Sequence, residues 1–317
     1  MAIFFGFHMP SFTFPGASNS EIFDRVSGLA QEAERQDFDM VTVMDHFYQI
    51  GGVGSEEEPM MEAYVTLGGL AARTNRVLLG AMVSGVTYRN PALLAKMATT
   101  LDIVSKGRAV LGLGAAWNES EHNGYGFEFP PIGRRIDRLA EALAIATAMF
   151  TEERPSFQGE NYRIDRALNH PRPVREGGPK IMVGGGGEKR TLRLAAQYAD
   201  ISNWFGSLEE ASRKLAILDR HCEDVGRDPS EILRTVSVPV LLVERESDKD
   251  EALARLPVSG QTPPTALTTS EAVDFIGRYV DAGFGGIIFR NSTLRTPESV
   301  AMAGEVIRAM RGSKVPA

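Results

Sequence analysis

Residues 181–196 read IMVGGGGEKRTLRLAA. A short apolar run, a glycine run and a helical pattern form the strand–turn–helix context in which glycines carry functional meaning. Glycine lets backbone N–H groups approach a ligand without a Cβ in the way, and the start of the next helix adds N–H donors and partial positive charge. This predicts an anion site, most often for phosphate, with Lys189 and Arg190 nearby. The alternative is a tight turn, which needs one glycine rather than four.

The same alternation of apolar runs and helical patterns recurs along the chain. The predicted strands are Ile3–Phe7, Met40–Met44, Val77–Val83, Arg108–Leu113, Ile181–Val183, Asp200–Trp204, Val236–Val243 and Gly285–Phe289. Eight buried strands, each followed by a helix, predict an α/β fold, a single (β/α)8 TIM barrel over residues 1–317. The alternative is an open, doubly wound sheet. Insertions are predicted after strand 4 and strand 7, at residues 153–179, with a hairpin near Gln158, and at residues 244–269.

Composition excludes several classes of function. The 317 residues are 43% hydrophobic, so the chain can bury a sizeable core, and its net charge of −7 argues against nucleic acid or an anionic membrane as partner. The single cysteine, Cys222, excludes an internal disulfide and a cysteine metal cluster, and it fits a reducing cytoplasm. We see no signal peptide, no run of about 20 apolar residues that could span a bilayer, and no spacing typical of a metal site. The G-x-S-x-G and G-x-G-x-x-G motifs are also absent.

Active sites of barrels lie after the carboxyl ends of the strands. Two of the five histidines, His8 and His46, stand at predicted strand ends, where a histidine can exchange a proton near neutral pH. A hydrogen-bonded packing histidine is an equally good interpretation of either. Asp45 precedes His46 and would point the other way if the strand continued, which favours a structural acceptor. Trp117 and Trp204, the only tryptophans, suit a planar ligand or a cap on the core.

Together these residues carry a family likeness. The chain resembles the bacterial luciferase-like flavin and deazaflavin oxidoreductases over nearly its whole length, and most of all the branch that uses coenzyme F420 rather than FMN. The likeness lies in the stretches Met44–Phe47, Leu79–Pro91, Arg108–Gly126 with LGLGAAWNE, Phe129–Leu139 and Pro179–Asn203. No single stretch would suffice, but the combination is specific.

The resemblance implies roles for individual residues. It assigns the cofactor phosphate to Gly185, Gly186, Gly187, Glu188 and Lys189, and the catalytic acid/base to His46. It places a bulge with a non-proline cis peptide at Met82–Val83, next to Ser84 and Gly85, behind the deazaflavin ring. Further cofactor contacts fall on Asp45, Gly114 and Asn118, and the substrate pocket on His8, Trp117, Trp204 and Arg290.

One departure from the family pattern concerns the substrate. Sugar-phosphate dehydrogenases of this family have a catalytic glutamate after strand 4, where this chain has about Trp117, with Glu119 and Glu121 nearby. We therefore do not predict sugar-phosphate oxidation, and a bulky aromatic residue there suggests an apolar or aromatic substrate face.

Three functions remain open at this point. The first is an F420-dependent oxidoreductase that passes hydride to or from a small organic substrate. The second is an FMN-dependent monooxygenase with the same fold, and the third is a non-catalytic barrel that binds flavin or another phosphate ligand. A homodimer is expected by analogy with the family.

Overall fold

The computed structural model describes residues 2–256, 264–290 and 294–312. The strands are β1 (Phe4–Met9), β2 (Met40–Val43), β3 (Leu78–Ala81), β4 (Ser84–Gly85), β5 (Ala109–Gly114), β6 (Phe157–Gln158), β7 (Arg163–Ile164), β8 (Lys180–Gly184), β9 (Ile201–Trp204), β10 (Leu233–Val238), β11 (Val240–Leu242), β12 (Thr265–Leu267) and β13 (Gly286–Arg290). The helices are α1 (Ile22–Arg35), α2 (Ala63–Arg73), α3 (Pro91–Val104), α4 (Glu119–Tyr125), α5 (Ile132–Thr151), α6 (Thr191–Tyr198), α7 (Leu208–Val225), α8 (Lys249–Ala254), α9 (Thr269–Asp281) and α10 (Pro297–Met310).

The chain forms two compact units. The first unit contains Met1–Val77, Phe205–Ser212 and Arg234–Ala317, and the second contains Leu78–Trp204 and Arg213–Leu233. The regular alternation of parallel strands with helices makes the fold a (β/α)8 barrel, as predicted. We keep the prediction of a single domain over residues 1–317, because within the described residues neither unit holds the full set of barrel strands.

In the first unit, β1 pairs in parallel with β2 and with β13, and β13 pairs in parallel with β10. The apolar run of β1 is buried among aromatic rings. Phe5 stacks on Phe289 at 6.2 Å between ring centroids, and Phe38 lies 5.7 Å from Phe7 and 5.9 Å from Phe289. The aromatic core of this unit is therefore built on β1 and β13, the strands that carry His8 and Arg290 near their carboxyl ends.

In the second unit, β5 pairs in parallel with β3, β4 and β8, and β8 pairs in parallel with β9. The segments β3 and β4 lie along the same edge of β5 and are separated by Met82 and Val83. The predicted third strand is thus interrupted where the resemblance placed a bulge.

The sequence predicts helix starts from capping-box spacing at Ser18 and Thr268, from a cap at Asn90 and from Thr296–Pro297, and the structure confirms these four. Capping boxes form at Ser18 and at Thr268, the Asn90 side chain accepts from the N–H of Ala92 ahead of α3, and Thr296 caps α10. These signals act within a few residues of the chain, which is why the sequence alone reveals them.

The predicted seventh strand, Val236–Val243, is wrong as a continuous strand. Pro239 has no N–H to donate and divides the segment. Before it, β10 pairs with β13. After it, β11 pairs with β12 in a separate two-stranded sheet, and the Pro239 carbonyl accepts from Thr265 N at 3.0 Å.

The sequence predicts a loop over residues 115–133 after the fourth strand, and this prediction is wrong in part. The segment contains α4, which ends at Gly126 with φ of 73°. The expected hairpin near Gln158 is present as antiparallel β6 and β7. No helix in the described part of the chain is both long enough and apolar enough to cross a membrane.

Candidate active site

The carboxyl ends of β1, β2 and β13 bring basic side chains together in the first unit. Parallel pairing sets His8 opposite Thr42 of β2 and opposite Arg290 of β13. His46 follows β2 by three residues and is half-buried. Three residues that the sequence assigned separately to a site, His8, His46 and Arg290, thus influence one another electrostatically.

His8 is the buried member of this group. Its side chain is 3% exposed, and its Nδ1 lies 2.9 Å from the Thr42 hydroxyl oxygen. Burial, followed by the charges of Arg290 and His46, lowers the pKa of His8 from 6.5 to about 3. A neutral imidazole therefore occupies this position near neutral pH, and His46 is the less buried histidine of this group.

Arg290 supplies a cation at the end of β13. Its guanidinium carbon lies 4.7 Å from the centroid of the Phe205 ring, a cation–π arrangement worth about 0.5–2 kcal/mol. Burial lowers the pKa of Arg290 from its usual value, yet a guanidinium remains charged at any physiological pH. The Phe205 ring was not assigned to the site from the sequence, although it directly follows Trp204.

Asp45 and His46 both lie beyond the end of β2, and they differ in burial. Asp45 is 2% exposed and His46 is half-buried. The burial of Asp45 favours the structural acceptor role, and its contact with a cofactor stays a prediction.

In the second unit, the peptide bond Met82–Val83 is cis, as the resemblance implied. The Val83 side chain lies where glycines leave room on β5 and β8. A Cβ built on Gly114 would come within 2.6 Å of Val83 Cγ2, and one built on Gly184 within 2.7 Å of the same atom. A Cβ on Gly112 would strike the carbonyl oxygen of Ala81. Gly114, predicted as a cofactor contact, is therefore required first for the packing of this bulge.

Gly85 has a similar packing role. A Cβ at this position would lie 2.6 Å from the ring of Tyr88. Ser84 is fully buried beside it. The contacts of Met82, Val83, Ser84 and Gly85 with a cofactor stay predictions.

The glycine turn follows β8, as predicted. Gly185 has φ of 118°, a conformation that side chains rarely adopt, and its N–H donates to the Asn203 carbonyl at 2.9 Å. A Cβ on Gly186 would lie 2.7 Å from Lys214 Nζ, and one on Gly187 would lie 2.7 Å from Thr191 Oγ1. Lys214 and Thr191 were missed by the sequence analysis.

The charged residues of the turn make contacts of their own. The Glu188 carboxylate pairs with Arg213 at 2.6 Å, and the Glu188 carbonyl lies 2.7 Å from His221 Nε2. Arg190 pairs with Asp137. Lys189 is exposed. The assignments of Glu188 and Lys189 to a phosphate stay predictions.

Two consecutive residues of α4 connect the loops after β4 and β5. His122 is fully buried, with Nδ1 2.6 Å from the Asn118 carbonyl oxygen and Nε2 2.6 Å from the Thr87 hydroxyl oxygen. Since a carbonyl can only accept, Nδ1 donates to Asn118 and Nε2 accepts from Thr87. The buried Glu121 carboxylate accepts from the Tyr88 hydroxyl. Sequence reasoning missed this cluster because it read the segment as a loop. The cue was Gly126 at the end of a helical turn.

The two tryptophans have different environments. Trp117 is 57% exposed beside α4, and its place in a substrate pocket stays a prediction. Trp204 is 1% exposed at the end of β9 and belongs to the buried core, the alternative to lining a pocket. Among the described residues, no three His, Cys, Asp or Glu side chains are grouped so that they could hold a metal ion.

A sequence model described as luciferase-like monooxygenase matches residues 4–309. The chain belongs to this family. A curated relative, the F420-dependent glucose-6-phosphate dehydrogenase of Intrasporangium calvum, is 31% identical over 292 residues that cover 81% of this chain and 85% of the relative. The chain is an enzyme, an oxidoreductase of the luciferase-like family.

Solved structures agree with the fold. An F420-dependent secondary alcohol dehydrogenase in complex with an F420–acetone adduct superposes with a TM-score of 0.81 at 20% identity, over 98% of this chain and 99% of that one. The oxygenating constituent of 3,6-diketocamphane monooxygenase from Pseudomonas putida, in complex with FMN, gives a TM-score of 0.75 at 18% identity, over 97% of each chain. At identities this low, the likeness shows the fold alone.

The hydrogen bond between Thr87 and His122 can be tested by stability. Thr87→Val keeps the side-chain shape of this luciferase-like enzyme but leaves the buried Nε2 without its donor. We expect the free energy of unfolding, measured by urea denaturation, to fall by about 1–3 kcal/mol. In a His122→Phe background the same substitution should cost much less, since neither partner then remains. An equal loss in both backgrounds would contradict the hydrogen bond.

The buried neutral His8 predicts a pH dependence of stability. Its pKa is about 3 in the folded state and near 6.5 when unfolded, so the unfolded chain binds the extra proton first as pH falls. Between pH 7 and pH 5 this single group should remove about 2 kcal/mol of unfolding free energy. His8→Asn, which can keep a bond to Thr42, should lack this component. If the unfolding free energies of the wild type and this variant fell equally between pH 7 and pH 5, His8 would not be a buried neutral group.

Proposed function

We propose that the protein is an F420-dependent oxidoreductase that transfers hydride between bound deazaflavin and a small organic substrate. The observation that carries the proposal is the similarity over 81% of the chain to a protein named F420-dependent glucose-6-phosphate dehydrogenase. A second relative of the same name, from Kineococcus radiotolerans, is 27% identical and covers 84% of this chain. Both span most of this chain and most of their own length, so the similarity is not confined to one motif.

The residues of the second unit fit such a cofactor. The turn at Gly185–Gly187 would hold the phosphate. A Cβ at any of these glycines would crowd the side chain of Thr191 or Lys214, so only glycine leaves this space free. The Met82–Val83 bulge would back the ring, and its place on β3 and β4 is fixed by the packing of Val83 on Gly114 and Gly184. When bound, F420 would supply or accept the hydride.

The protein's own contribution to the reaction is proton exchange and positioning. We assign the acid/base role to His46, because it is half-buried and because its neighbour His8 is neutral and bonded to Thr42. Arg290 would orient an electron-rich group of the substrate through its charge.

The substrate of the relatives is not carried over. In this chain, the position of the family's catalytic glutamate corresponds to about residue 117, which is Trp117. Of the nearby acids, Glu119 is exposed and Glu121 is buried and accepts from Tyr88. The exposed Trp117 ring supports a substrate with an apolar or aromatic face. Activity as a homodimer in the cytoplasm belongs to the same proposal and rests on the family and on the single cysteine.

The first test is cofactor preference. Purified apo-protein is titrated with oxidised F420 and, separately, with FMN, and binding is followed by fluorescence or calorimetry. We expect micromolar F420 binding and much weaker FMN binding. The reverse preference would move the enzyme to the FMN-dependent monooxygenases of the family, and absence of binding to either would remove the proposal.

The second test concerns His46 and uses a substrate found by screening with F420. His46→Ala should leave the F420 dissociation constant within about tenfold and lower kcat by about 10²–10⁴, because it removes the proton relay but no phosphate contact. The loss of kcat should be smaller at pH values where the solvent can donate or accept the proton in place of His46. Loss of F420 binding with no further loss of rate would reduce His46 to a packing residue.

A further inference from the structure

Lys214 of α7 lies against the glycine turn. A Cβ built on Gly186 would be 2.7 Å from Lys214 Nζ, 3.1 Å from Cε and 3.2 Å from Cδ. The last part of the lysine side chain therefore runs along the backbone of Gly186, in space that any other residue would occupy. Lys214 is half-buried, and it comes 28 residues after Gly186 in the chain.

Three other cations near the turn are paired with carboxylates, whereas Lys189 is exposed. Arg213 pairs with Glu188 at 2.6 Å and Arg193 with Asp224 at 3.7 Å, and Arg190 pairs with Asp137. Lys214 forms no ion pair or hydrogen bond with any residue that the structure describes. Its charge is therefore available to an anion held at the turn.

The backbone of the turn offers donors next to that charge. Gly185 N–H is used by the Asn203 carbonyl, whereas the N–H groups of Gly186 and Gly187 find no acceptor in the described part of the chain. The hydroxyl of Thr191 lies beside Gly187. An ammonium, two backbone donors and a hydroxyl together match the oxygens of a phosphate monoester.

Two contacts hold α7 against the turn independently of any ligand. His221 Nε2 lies 2.7 Å from the Glu188 carbonyl oxygen, and Arg213 pairs with the Glu188 carboxylate. His221 follows Lys214 by seven residues, two helical turns, so both side chains project from the same face of α7. This fixes the helix from which Lys214 reaches Gly186.

We propose that Lys214 is the residue that neutralises the cofactor's phosphate, and that Gly186 lacks a side chain so that the ammonium can reach it. The proposal rests on the proposed function, because it takes the phosphate of the bound cofactor as its ligand. Lys189, the cation that the sequence assigned to the phosphate, lies on the turn itself and is exposed, whereas Lys214 comes from another element.

The test compares two ligands that differ only in the phosphate-bearing tail. Oxidised F420 and its phosphate-free deazaflavin–ribitol core are titrated into wild type and Lys214→Met, which keeps the apolar stem. We expect Lys214→Met to weaken F420 binding by about 10- to 100-fold, the usual effect of losing a charge-assisted hydrogen bond, and to leave the affinity for the core unchanged. Lys214→Arg should restore most of the F420 affinity. If the wild type prefers FMN, the matched pair is FMN and riboflavin.

Two controls separate a contact from a general effect of charge or folding. Arg220→Met removes one positive charge from the exposed face of the same helix and should bind F420 as the wild type does. Gly186→Ala should displace the Lys214 ammonium, so it should weaken F420 binding in the wild type but add little in a Lys214→Met background. Additive losses would contradict displacement of Lys214 as the cause.

The outcomes distinguish the two proposals. Wild-type protein that binds neither F420 nor FMN overturns the proposed function. Wild-type protein that binds its cofactor while Lys214→Met binds it equally well overturns only the role of Lys214. A Lys214→Met variant that loses affinity for the cofactor and for the phosphate-free core alike also overturns that role, since its effect is then structural.

Discussion

The arrangement of the second unit depends on one contact, in which the Val83 side chain packs against glycines of the neighbouring strands. Its isopropyl group occupies space beside Gly114 of β5 and Gly184 of β8, where a Cβ would approach within 2.6–2.7 Å. Both strands must therefore carry glycine at these levels. Glycine has a low β propensity and therefore weakens β5 and β8, and the burial of these strands offsets this loss. The bulge that interrupts the third strand is built by its neighbours as much as by its own residues.

This contact accounts for the first of the four consecutive glycines that end β8 and form the turn after it. Gly184 makes room for Val83, Gly185 adopts a φ of 118°, Gly186 admits the end of Lys214, and Gly187 lies against the Thr191 hydroxyl. Only the last three belong to the turn. A phosphate loop and a tight turn were set out as alternatives, yet each glycine of the run has a packing or backbone reason of its own, so the number of glycines is not by itself a measure of ligand contact.

Local signals made most of the fold predictable. The capping boxes at Ser18 and Thr268 and the Asn90 cap act within three residues, and the apolar runs of the strands need no distant partner to be seen. The division of the seventh strand was missed although Pro239 is present in the sequence. Edge strands tolerate proline, so only the pairing with neighbouring strands shows whether the strand continues past it. The helix α4 was missed because seven mostly polar residues give no clear periodicity.

The functional residues that escaped prediction share a different property: their roles depend on contacts between distant parts of the chain. Lys214 reaches Gly186 from another helix, and His122 meets Thr87 across 35 positions of sequence. The family resemblance identified the bulge and the turn because those are contiguous motifs. It could not identify the side chains that complete them, since these come from elements with no motif of their own.

Charge explains how histidines at neighbouring strand ends can differ in role. A protonated His8 would lie buried beside Arg290 and near His46, and each of these conditions disfavours the cation. The structure instead keeps His8 neutral and hydrogen-bonded to Thr42, which satisfies its ring without adding charge. Arg290 carries its charge at the same strand ends, and His46 is less buried than His8. A neutral His8 therefore avoids a second buried cation beside Arg290.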